Sequence, residues 1–172
     1  MATTFPADPA KGPHKLTLAG KIGAALFAFW GILHLWVGGE GLRLYFSSPA
    51  QDQWRMFIGG TEAPFSAFQF PVDPVTAHVH ANLILNFCLD VAGYGLLGLL
   101  VAAMLYKRAS WTAYFMALIL IGLCDLSFTF LQVTSGTIAL NLPTIAGPLL
   151  WLLAVIITPF GLPRLKSFRD VI

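Results

Sequence analysis

Between His78 and Tyr94 the chain reads HVHANLILNFCLDVAGY, with His78, Asn82, Asn86, Asp90 and Tyr94 at strict four-residue steps inside an apolar run. Imidazole, amide and carboxyl groups in series can move a proton, hold a polar headgroup, or bind one another. On a helix, four residues advance the chain by about 400°, so each rung drifts about 40° and successive rungs touch. A second series, Gly122, Asp125, Thr129 and Gln132, recurs at three- or four-residue steps farther on. A carboxyl in the middle of a membrane helix costs about 2.5–3.5 kcal/mol on insertion scales, so both stripes are expected to turn inward.

Counted from the expected outer helix ends, Asn82 lies about 9 Å deep, Asp125 about 12 Å, Asn86 about 15 Å and Asp90 about 21 Å. The simplest way to satisfy these groups is an Asp125–Asn82–Asn86 cluster between the second and third helices, with Asp90 left without a partner. Polar side chains between membrane helices can also act as packing glue, at about 0.6 kcal/mol each. Carboxyls held in low dielectric favour the neutral form, which suits proton transfer or a bound headgroup.

His34, His78 and His80 are expected in one outer layer, with Glu40 and Asp73 at its water boundary. Imidazoles with a carboxylate could ligate zinc, copper or iron, and two facing histidines could hold haem. His78 and His80 lie about 200° apart on a helix, so the feasible set is His34 with one of them. Histidines that only hydrogen-bond at the interface fit the same spacing. Cys88 and Cys124 lie in apolar runs without zinc or disulfide spacing and read as buried thiols.

Other chemistries find no support. Gly93–Gly98 matches G-x-G-x-x-G but sits inside an apolar helix, not between a strand and a helix. It reads with Gly20, Ala24 and Ala28 as close helix packing. There is no P-loop, no H-E-x-x-H and no G-x-S-x-G.

The elements that must position these residues are four transmembrane helices. The chain has 172 residues, 57% hydrophobic and 10% charged, where soluble domains carry about 25% charged residues. Spans are expected at 16–38, 76–106, 110–133 and 142–162, each near the roughly 20 apolar residues a bilayer needs. The expected fold is an all-α four-helix membrane bundle, 15–164, between a polar N-terminal tail, 1–14, and a basic C-terminal tail, 165–172. The first span is too long for a cleaved leader and reads as retained.

The outer loop, 39–75, mixes aromatic and charged residues. It is expected to hold a short interfacial helix capped by Ser48, after a turn at Val37–Gly41. Lys11, Lys15, Lys21, Lys107, Arg108, Arg164, Lys166 and Arg169 fall on one side, and only Arg43 and Arg55 on the other. That bias places both termini in the cytoplasm, in a plasma or inner membrane. A net charge of +2 without a basic patch argues against nucleic acid.

Three functions fit. The first is a membrane protein that binds a hydrophobic or amphipathic molecule, or serves as accessory subunit of a membrane complex, through a polar pocket of His34, His78, Asn82, Asn86, Asp90, Asp125, Thr129 and Gln132. Its partners would be the bilayer, other membrane subunits or further copies of itself. The second is a haem or transition-metal redox protein using His34 with His78 or His80. The third is a proton-coupled carrier using Asp90 and Asp125.

Overall fold

The computed structural model describes residues 16–50 and 52–164, so the two expected tails lie outside it. Among the described residues every regular element is helical, and four helices are long and apolar enough to cross a membrane. We label them α1 (Leu18–Ser47), α2 (Pro74–Arg108), α3 (Trp111–Val133) and α4 (Leu142–Gly161). The protein is an integral membrane four-helix bundle.

α1 runs nine residues past its expected end at Gly38. Of the glycines expected to make a turn, Gly38 and Gly41 serve close packing instead, and Gly39 faces open space. A Cβ on Gly38 would stand 2.7 Å from both the Ala92 nitrogen and the Cys88 carbonyl oxygen, and one on Gly41 would strike the Cys88 sulfur. Glu40 therefore sits on a helix, bound by both carboxylate oxygens to Arg43 at 2.6 and 2.7 Å. Ser48 ends α1 in extended backbone, ahead of Pro49, which disfavours helix in the residue before it.

Farther down the same pair, Gly31 faces the Gly95 carbonyl and Gly98 faces the Trp30 ring. Small residues let the backbones approach, and dispersion between them replaces the hydrophobic drive that lipid cannot supply. At its other end α1 presents Gly20 and Gly23 to Gly161 and Thr158 of α4. α1 is thus the hub, packed along α2 and against α4, with Phe27 and Trp30 fully buried. Gly93, expected in a close contact, has nothing within 4 Å of its Cβ position.

Asp73 starts α2 by accepting from the backbone N–H groups of Val75 (3.1 Å) and Thr76 (2.8 Å), with Pro74 at the first helical position. Its carboxyl is held below the usual range, first by Thr76 and then by Val75. α2 ends at Ala109, in left-handed backbone at φ 46°, and Ser110 caps α3 through the Ala113 N–H at 3.2 Å. α2 and α3 therefore form a tight hairpin.

Two π-helical turns, Ala117–Ile121 and Thr129–Val133, interrupt α3 on either side of the α-helical segment Gly122–Phe128. The Trp151 indole of α4 donates to the Ala117 carbonyl at 3.1 Å and lies over Gly122. α4 opens on a capping box between Asn141 and Thr144 and closes as a 3-10 turn over Pro159.

The short helix of the outer loop is a 3-10 turn, Asp52–Met56, and a second 3-10 turn follows at Phe65–Ala67. The serine proposed as its cap is consumed in ending α1. Trp54 stands edge-on to His80 of α2, and Phe57 to Phe87. Gly60 and Glu62 bond to Thr137 and Gly136, tying the loop to the α3–α4 turn.

Candidate functional site

Two polar regions emerge, and they are separate. In the first, the Trp30 indole donates to Asp125 Oδ2 at 2.7 Å, and Asp125 is only 3% exposed. The π-helical turns on both sides of Gly122–Phe128 offset this segment from a regular α3 register, and such turns recur at functional sites. His34 stacks on Trp30 with ring centroids 3.7 Å apart, as residues one helical turn apart can. Its Nδ1 lies 2.9 Å from the Trp30 carbonyl. A carbonyl only accepts, so Nδ1 carries a hydrogen.

In the neutral ring Nε2 is then bare, and it faces Asp125 Oδ1 at 3.7 Å. A single proton on the pair could sit on either group, as carboxyl with imidazole or as carboxylate with imidazolium. Both forms are neutral overall, which lowers the cost of keeping them in the bundle. Gly147 of α4 closes the centre: a Cβ there would meet His34 Cε1 at 2.9 Å and Asp125 Oδ1 at 3.5 Å. Sequence reasoning missed Trp30. Its place four residues before His34 was the available signal.

The Asp125–Asn82–Asn86 cluster does not form. Asp125 turns to α1 because α1, not α2, occupies the middle of the bundle. Thr129 turns its hydroxyl back to the Asp125 carbonyl at 2.7 Å, and Gln132 is half-buried one turn farther out.

The second region is the ladder, and it faces outward. His78, Asn82, Asn86, Asp90 and Tyr94 are all exposed. α2 buries Ile84, Cys88, Gly95 and Gly98 against the bundle. Residues two apart lie about 200° apart on a helix, so burying Ile84 and Cys88 directs Asn82, Asn86 and Asp90 away. The rungs bind along their own helix: Asn82 Nδ2 donates to His78 Nε2 at 3.1 Å, and Asn86 Nδ2 to Asp90 Oδ2 at 2.8 Å. Asp90 thus has a partner, contrary to expectation. Tyr94 bonds the Cys124 thiol of α3.

The expected depths also shift. Asp125 binds Trp30, which packs on Gly98, while Gly38 packs on Cys88 and Ala92. Asp125 therefore lies nearer the level of Tyr94–Gly98 than that of Asn82–Asn86. Counting from the helix ends failed because α2 runs much farther beyond this level than α3 does, so their outer ends are not level.

The three histidines do not converge. His34 faces Asp125, His78 bonds Asn82, and His80 lies against Trp54. Among the described residues no three His, Cys, Asp or Glu side chains are grouped to hold a metal. The carboxyls of the carrier reading, Asp125 buried at α1 and Asp90 exposed on α2, belong to different regions.

Compared with family models, curated proteins and solved structures, the chain matches none of them.

Proposed function

We propose that the protein is a subunit of a membrane assembly and docks through the outward face of α2. One observation carries this reading. Polar His78, Asn82, Asn86 and Asp90 share an exposed surface with Val79 (48% exposed), Leu83 (60%) and Leu89 (54%). Across the membrane boundary, hydrocarbon would leave Asp90 poorly satisfied and water would leave Val79 and Leu83 exposed. Mixed surfaces of this kind suit a protein partner, where polar pairs fix register and apolar contacts supply area.

The same reading sets the ladder across the outer membrane boundary. Lys107 and Arg108, with Arg164, mark the inner side, so the termini are cytoplasmic in a plasma or inner membrane. From Lys107, a hydrocarbon core of about 30 Å ends about 20 residues up α2, near Asn86 and Phe87.

Native mass spectrometry from lipid nanodiscs tests the proposal. The wild-type chain is expected in an assembly, and the triple variant Asn82→Leu, Asn86→Leu, Asp90→Leu as a single folded chain. A wild type that is monomeric under these conditions, or a triple variant that assembles equally well, overturns it.

A further inference from the structure

We infer that the partner on the α2 face is a second copy of this chain, related by a two-fold axis along the membrane normal. The inference rests on the docking proposed above and names its occupant. Copies inserted in one membrane share one orientation, so a symmetric pair places each α2 residue beside its own counterpart at the same level. The ladder is suited to that meeting because it is self-complementary. Asn86 uses one N–H on Asp90 Oδ2, leaving its second N–H and its amide oxygen, while Asp90 keeps Oδ1. A second Asn86–Asp90 set offers the matching acceptor and donor.

Among the described residues the other helices turn mainly apolar faces outward: Phe29, Ile32 and Trp36 on α1, Leu123, Leu126 and Phe130 on α3, and Leu149, Leu152 and Ile156 on α4. A copy that is to satisfy the ladder must therefore bring its own α2. Spacing and room agree. Leu83, Asn86, Asp90 and Gly93 alternate steps of three and four, the seam of a helix pair in which a polar residue fixes register. Gly93, open on that seam, lets the two backbones close.

Cysteine crosslinking reads this directly. In the full chain carrying Cys124→Ala, a Gly93→Cys variant in native membranes is treated with copper phenanthroline. Leu152→Cys on α4 is the control, and the Cys124→Ala chain alone sets the background from Cys88. Gly93→Cys is expected to give a disulfide-linked dimer at least about tenfold over the control, because a symmetric seam brings the two Cα atoms within disulfide reach. Adding Asn86→Leu and Asp90→Leu is expected to cut that yield about tenfold by removing the interhelical bonds.

A wild type that is assembled by native mass spectrometry, with no Gly93→Cys crosslink, overturns the second copy and leaves docking to a different subunit standing. Absence of both crosslink and assembly overturns both. Gly93→Ala in the same nanodiscs checks that substitution at this position spares the assembly. If Gly93→Ala abolishes it, the crosslink is moved to Leu83→Cys, with the same two outcomes.

Discussion

The buried centre and the exposed ladder use similar residues and meet opposite fates. Trp30, His34 and Asp125 satisfy one another across α1 and α3, sealed by Gly147. His78, Asn82, Asn86 and Asp90 satisfy one another only along their own helix and leave valences open to the outside. The difference teaches that position relative to the hub helix, rather than polarity, decides which set holds the fold. A polar group facing α1 is part of the bundle. One facing away from it is not, and a role for it outside the bundle is what the docking proposal supplies.

Substitution at the two carboxyls should separate these roles most sharply. Asp125→Leu leaves the buried Trp30 N–H without an acceptor, at a cost of about 1–3 kcal/mol. Asp90→Leu sits outside the bundle and should change monomer stability by no more than about 0.5 kcal/mol. Thermal unfolding in detergent compares them, and equal losses would erase the distinction.

Glycines give a second contrast of smaller size. Gly147→Ala presses its Cβ on His34 and should destabilise by about 1–2 kcal/mol through overpacking. Gly93→Ala enters open space on a helix and should stabilise the monomer by up to about 1 kcal/mol. Denaturation midpoints of the same sign for both would show that the two faces are packed alike.

The smallest effect belongs to Asp73, above the ladder. Its folded carboxyl titrates below its unfolded value, so the cap contributes fully above the unfolded range. That contribution is lost as pH falls through the folded range. Amide exchange at Val75 and Thr76, corrected for the intrinsic rate, should rise as pH drops below about 4, near the ordinary aspartate value. Asp73→Asn should flatten that response, because an amide caps without titrating. The exchange of Ile84 and Cys88, buried against α1, should not follow it.

Hydropathy made the four helices legible, since runs of about 20 apolar residues admit few other readings. The ends of α1 and α2 were less so. Gly38 and Gly41 look like turn residues until a neighbouring backbone is found against them. The inward direction assigned to the ladder failed for a related reason. One helix's polar stripe indicates what that stripe needs, whereas Ile84, Cys88, Gly95 and Gly98 determine which side the neighbour takes. Asp125 was rightly expected to be buried. Its partner Trp30 was hidden because an indole in an apolar run reads as bulk until its N–H has somewhere to go.

Helix length carries one more consequence. α1 and α2 have 30 and 35 residues, or about 45 and 52 Å at 1.5 Å per residue, against a hydrocarbon core of about 30 Å. Even a tilt of 40° leaves α2 spanning about 40 Å along the bilayer normal, so tilting alone does not absorb the excess. The two helices act as a gauge against the bilayer. In a thin membrane the upper rungs stand in the headgroups, and one helical turn of thickening, about 5.4 Å, draws the next rung into hydrocarbon. Hydrophobic mismatch would then set how strongly the α2 face seeks a partner, making lipid composition a control on assembly.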